Sequence, residues 1–200
     1  RAKGVITVVD GAHVHGQIAC RIDDLGCDFF AGSPHKWMFA PAGCGLLYVR
    51  EEMQERFWPT IATGGWDDPK LKAGRYMRVG TNNRAIFEGM MAGIDFLEAI
   101  GAGMIYGRIH QLAAKTRRMA AERSYLEVLT PENDRMYGSL VTIRFKAEPE
   151  ALKPLWDACD RNKVWVFHSP RLRLSSHVHT RPSDIEMFFD LADRTVGRKG

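Results

Sequence analysis

Apolar residues follow three different patterns along this chain. Val5 to Val9 is a continuous, β-branched run ending at Asp10 and Gly11. Its lack of polar alternation predicts a strand buried on both faces, as in a parallel sheet. Cys27 to Ala31 predicts a second strand, with a helical turn at Asp23 to Leu25 before it. Gly45 to Arg50 predicts a third, entered through Pro41-Ala42-Gly43, and Glu51 to Phe57 suits a short helix. From Trp58 to Arg78 the periodicity is interrupted by Pro59, Gly64, Gly65, Pro69 and Gly74. A loop of that length inside a domain is usually functional or disordered.

The period becomes helical after Thr81 and Asn82, either of which suits an N-cap. Ile86, Met90, Ile94 and Leu97 share one face, with Ala85, Gly89 and Gly93 allowing close packing. A second helix is predicted from Met104 to Glu127, with Ile105, Ile109, Leu112, Thr116 and Met119 facing inward. After Thr130-Pro131 the character changes to α+β. Strands are expected at Ser139 to Phe145, Val164 to Phe167 and Leu172 to Ser175, and helices at Pro149 to Asn162 and Pro182 to Val196. This places a domain boundary inside the long helix, with 1–115 as one domain and 116–200 as a second, smaller one.

Composition narrows the class without naming a function. With 200 residues the chain can hold one domain, or one plus part of another. It is 45% hydrophobic and 26% charged, as soluble globular proteins are, and its net charge of +4 is mild. No basic block predicts nucleic-acid binding; Lys115, Arg117 and Arg118 read as a solvated helix face. Cys20, Cys27, Cys44 and Cys159 lack C-x-x-C spacing and are expected to be reduced, buried thiols in a cytoplasmic protein. No membrane span or signal peptide is visible. The pairs His13/His15 and His177/His179 have no third and fourth ligand at zinc-like spacing, so no metal is expected. The chain opens at Arg1 and runs almost at once into a buried-type strand, as a sequence beginning mid-protein would.

The chemistry concentrates between Val9 and Tyr48. Asp10 ends one predicted strand, and Ser33-Pro34-His35-Lys36 follows the next. Both would lie at the carboxyl ends of strands, where open α/β sheets bind ligands. A partly desolvated lysine there would be nucleophilic toward an aldehyde. Pyridoxal-phosphate chemistry needs such a lysine, together with a carboxylate that keeps the pyridine nitrogen protonated.

The stretch resembles the class V, fold type I, family of pyridoxal-phosphate (PLP)-dependent aminotransferases, and within it the isopenicillin-N-epimerase-like branch. Asp10-Gly11-Ala12-His13 is similar to the family's D-x-x-Q/H, Ser33-x-His35-Lys36 to its S-x-H-K, and Gly43-Cys44-Gly45 to its G-x-G. The resemblance implies an α/β fold: part of a large-domain, mostly parallel sheet plus an α+β C-terminal small domain. It implies pyridoxal 5'-phosphate as cofactor and Lys36 as the Schiff-base lysine. Asp10 would pair with the ring nitrogen, His13 with the phenolic oxygen, and Ser33 and His35 with the phosphate. Gly80-Thr81 looks like a family G-T whose threonine serves the neighbouring subunit's phosphate, which implies a homodimer. Arg173-Leu174-Ser175-Ser176-His177 is similar to R-x-S-x-H, whose arginine grips the substrate α-carboxylate. Arg171 is a weaker candidate for that role. Trp37 and Trp66 read as packing residues, with a pocket role open for Trp66.

The family's chains are longer, and its phosphate loop and ring-stacking residue have no counterpart here. Either the sequence is a fragment, or a second polypeptide completes the site. The expected activity is at the Cα of an amino acid through Lys36, as aminotransferase, epimerase or lyase. Cysteine desulfurase or C–S lyase is the alternative, disfavoured because Val164 to Pro170, where desulfurases carry their reactive cysteine, has none. An alternative of another kind is a non-catalytic half-chain that needs a partner.

Overall fold

A computed structural model describes residues 3–197; residues 1–2 and 198–200 lie outside the described residues. The chain forms two compact units, Arg1–Met104 and Ile105–Gly200.

In the first unit, β1 (Val8–Asp10), β2 (Phe29–Gly32) and β3 (Leu46–Val49) form a sheet in that order. β1 and β2 are parallel, with Asp10 opposite Ala31, and β2 and β3 are antiparallel. A parallel pair in this register brings both carboxyl ends to the same edge. Asp10 therefore leaves the sheet beside the point where Gly32 runs into the short helix α1 (Pro34–Trp37). The long helix α2 (Arg84–Ile100) follows the irregular segment. Its packing rests on missing side chains, as the pattern predicted. A Cβ on Gly93 would lie 2.3 Å from the Met38 carbonyl oxygen, and one on Gly89 2.5 Å from Pro41. The cap is neither Thr81 nor Asn82 but Asn83, whose side chain accepts from the Ala85 N–H at 3.1 Å. The segment before α2 is less irregular than expected, because Pro69–Met77 forms 3-10 turns kinked at Lys72.

One expectation fails in this unit. Val5 to Val9 was predicted to be buried on both faces, yet Val5 and Ile6 are exposed and Val8 is 70% exposed. The run is parallel to its neighbour as predicted. Among the described residues, however, β1 is an edge strand, and only Val9 of its two valines is partly covered.

The second unit holds β4 (Leu126–Val128), β5 (Leu140–Phe145) and β6 (Arg171–Ser175) in one antiparallel sheet, in that order. The helices are α3 (Ala102–Ala121), which begins at the junction of the units, α4 (Lys153–Arg161) and α5 (Pro182–Thr195). Val141, Ile143, Leu155, Cys159, Leu172, Phe189 and Ala192 make one apolar core between sheet and helices. The predicted inward face of α3 is buried at Ile105, Ile109, Leu112 and Thr116.

Two further readings are corrected here. The helix predicted to reach Glu127 stops at Ala121, and Leu126–Val128 pairs with β5 instead. Arg123, between them, is held by Asp193 of α5 through paired contacts of 2.9 and 2.7 Å. Val164 to Phe167, predicted as a strand, has no ladder partner among the described residues.

Candidate functional site

The site builds on the parallel pair. Asp10 closes β1 and folds back on the turn that follows, its Oδ1 accepting the Ala12 N–H at 3.0 Å. That turn carries His13. The chain then reverses at Gly16, whose φ of 80° suits glycine; a Cβ there would also stand 2.4 Å from the Trp37 carbonyl oxygen. Gln17 holds the turn by donating from Nε2 to the His13 carbonyl. From the other strand, Ser33 occupies the N-cap position of α1 and Pro34 its first turn. His35 and Lys36 are exposed, while Trp37 is 5% exposed.

Two contacts join these segments across 23 and 24 residues of sequence. Lys36 Nζ lies 3.2 Å from His13 Nε2, and the Trp37 indole N–H donates to His13 Nδ1 at 3.1 Å. Two consecutive residues of α1 therefore engage both nitrogens of one imidazole. The structure brings together Asp10, His13, Ser33, His35 and Lys36 at one sheet edge. Trp37, read from the sequence as a packing residue, both packs and donates a hydrogen bond. The signal for that role was its place directly after the lysine, which a spacing argument cannot weigh.

The His15 ring packs against Phe30 at a tilt of 58°, centroids 4.9 Å apart, and its Nε2 is buried without a partner among the described residues. Burial lowers its pKa below the ordinary histidine value. Thr81 is exposed and precedes the α2 cap. Trp66 is half-buried against Trp58, their rings 4.8 Å apart.

In the second unit Arg173 is exposed on β6, opposite Thr142 of β5, with Arg171 on the same face. It lines a cavity of about 740 Å³ together with Lys163, Trp165, Phe167 and Arg181. None of the ion pairs among the described residues involves Arg173; Arg181 is held by Asp184 at 2.7 Å. Trp165 and Phe167 are 83% and 64% exposed. These aromatics occupy the segment in which desulfurases carry their reactive cysteine, and its strand-like residue types concealed their exposure.

The cysteines are all free thiols, with Cys27, Cys44 and Cys159 buried as expected, whereas Cys20, in the loop before the first 3-10 turn, is only half-buried. Burial, with Asp160 adding to it, pushes the Cys159 thiol up to about 11. No helix among the described residues is long and apolar enough to cross a membrane.

Known proteins match this chain in sequence and fold. The family model for class-V aminotransferases covers residues 1–160. The chain is 30% identical to isopenicillin N epimerase of Streptomyces clavuligerus, over 98% of its own length and 54% of that protein's. It is 26% identical to a probable cysteine desulfurase of Pyrococcus abyssi, over 98% of its own length and 53% of that protein's. Its fold matches the apo structure of a cysteine desulfurase from Thermococcus onnurineus NA1 with a TM-score of 0.82 and 26% identity, covering 98% of this chain and 54% of the other. The chain thus spans about half the length of the relatives it matches. The expected fold class, fold type I, is the fold of these neighbours.

Proposed function

Since the chain belongs to the class-V aminotransferase family, whose members depend on pyridoxal phosphate, we propose that it carries the lysine-bearing part of an enzyme acting at the Cα of an amino acid. On this reading, residues 1–115 are the C-terminal part of the cofactor-binding domain and 116–200 the small domain. The observation that carries the proposal is the 3.2 Å approach of Lys36 Nζ to His13 Nε2, beside the strand that ends in Asp10.

The donor set fits the cofactor: an exposed amine, an imidazole beside it, a carboxylate at the adjoining strand end, and a hydroxyl and second imidazole at the start of α1. Lys36 would carry the cofactor covalently. Asp10 would hold a positive ring nitrogen by a charge-assisted hydrogen bond. His13 would face the phenolic oxygen, and Ser33 and His35 the phosphate. When bound, the cofactor supplies an electron sink for negative charge developing at the substrate Cα. Arg173 would orient the substrate by a bidentate grip on its carboxylate. Lys36, released from the cofactor, would take the proton from Cα as general base. Thr81 would serve the partner subunit's phosphate in a homodimer, and a fully active monomer by light scattering would overturn that part.

Within the family's range of reactions we favour one without a cysteine nucleophile. A thiolate is the reactive form, and burial disfavours it at Cys159. Cys27 and Cys44 are buried as well, and the segment before β6 holds aromatics in place of a thiol. The test of the core proposal is borohydride reduction followed by peptide mapping. Pyridoxyl mass is expected on Lys36. Label on Lys3 or Lys70, or on no lysine of a protein shown to contain cofactor, rejects the assignment. Failure of the full protein to take up cofactor at all would favour the non-catalytic alternative.

A further inference from the structure

The Trp37 indole nitrogen carries a hydrogen and offers no lone pair, so it can only donate. It lies 3.1 Å from His13 Nδ1, which makes Nδ1 the unprotonated nitrogen of that ring. A neutral imidazole has one ring hydrogen. That hydrogen must then sit on Nε2, the nitrogen 3.2 Å from Lys36 Nζ. We infer that Trp37 is a positioning residue that pins His13 as its Nε2–H tautomer, so that the ring presents a donor to whatever occupies the site at Lys36.

The consequence is chemical. An Nε2–H can donate to the lone pair of a free lysine amine, the nucleophilic form, but it cannot accept from an ammonium. It can also donate to a phenolic oxygen, the partner proposed for His13 once the cofactor is in place. The opposite tautomer would turn an acceptor toward Lys36 and favour the ammonium, which does not attack an aldehyde. Removing the indole N–H therefore frees the ring to adopt a tautomer that works against the lysine.

The surroundings hold both rings in place. Trp37 is 5% exposed, and its carbonyl fits against the turn only because residue 16 is glycine. The His13 and Trp37 rings meet at an interplanar angle of 61°, and Gln17 ties down the His13 carbonyl. Lys36 and Trp37 are neighbours on α1, where successive side chains diverge by about 100°, so they reach the imidazole from two sides.

The functional meaning rests on the proposed role of Lys36, whereas the tautomer itself does not, and the test separates them. The full protein, without cofactor and labelled with ¹⁵N, is studied by long-range ¹H–¹⁵N NMR at a pH where histidines are neutral. His13 is assigned by its absence from the His13→Gln spectrum. A pyrrole-type Nε2, a pyridine-type Nδ1 and a through-hydrogen-bond coupling from Trp37 Nε1 to Nδ1 are expected. In Trp37→Phe, which keeps a buried ring, that coupling disappears and the two nitrogen shifts move toward each other, while His15 is unchanged. Packing alone would not move the tautomer in this way. A wild-type His13 protonated on Nδ1 or on both nitrogens overturns the inference, as do unchanged shifts in a folded Trp37→Phe protein. Should that variant fail to fold, the wild-type shifts and coupling decide by themselves. A pinned tautomer with borohydride label away from Lys36 would defeat the functional reading and leave the tautomer assignment standing.

Discussion

The two units of this chain solve different problems. The second closes its own core: Val141, Ile143, Leu155, Leu172 and Phe189 are essentially inaccessible to water, and Arg123 and Tyr125 clamp Asp193 at the rim. The first carries the lysine, the imidazole and the carboxylate, yet leaves Val5, Ile6, Val8 and Leu47 exposed around its small sheet. A sheet of a few short strands is stable only when a face is covered. The proposed chemistry would depend on backbone register at one sheet edge, whereas the second unit's stability depends on filled volume.

The largest expected effect lies in the first unit. Asp10→Asn keeps the shape and removes the charge, so Cα–H exchange in deuterated water should fall on the order of 10²–10³-fold or more, the scale of losing a group that stabilises developing charge. Near-normal exchange would remove Asp10 from the chemistry. Melting of the second unit should not change.

Packing comes next. Phe189→Ala should destabilise the second unit by about 3–5 kcal/mol in denaturant melts, whereas Val8→Ala should stay within about 0.5 kcal/mol. A core-sized loss at Val8 would mean that its face is covered in solution, and the contrast between the units would break.

Replacing all four cysteines with serine or alanine should leave Cα-directed activity largely intact, apart from about 1–3 kcal/mol of stability. Alkylation should reach Cys20 first and Cys159 last. A persulfide trapped on any of the four, with cysteine converted to alanine, would establish the desulfurase reading instead.

The smallest effect is electrostatic. Burial alone would raise the Asp193 carboxyl, but hydrogen bonds from Arg123 and Tyr125 outweigh it and hold the group below the ordinary carboxylate range. Its stabilisation is therefore complete above the unfolded value of about 4 and is lost as pH falls through the lower folded value. Solvent screening at this partly exposed pair limits it to about 1 kcal/mol or less. Asp193→Asn should flatten that acid-side slope of the second unit's stability, and an unchanged slope would assign it to other carboxylates.

Much of the molecule follows from local chemistry that any stretch of sequence carries. The strands around Phe29 and Leu46, the buried face of α3 and the close approach at Gly89 and Gly93 were legible because side-chain period and the absence of a Cβ act locally. The cofactor was legible because Asp10-Gly11-Ala12-His13 and Ser33-Pro34-His35-Lys36 resemble two motifs of one pyridoxal-phosphate family.

What remained was decided by partners far away in sequence. Helical periodicity runs on past Ala121, but β5 offered Leu126–Val128 a ladder, and Asp193 anchored Arg123 between them. Val164 to Phe167 has strand residues and no strand beside it among the described residues. Val8 has the residue type of a buried position, but burial depends on what stands opposite, and nothing described does. The Trp37 indole reaches His13 only because β1 and β2 pair with Asp10 opposite Ala31, so the proton position on that imidazole belongs to the tertiary structure alone.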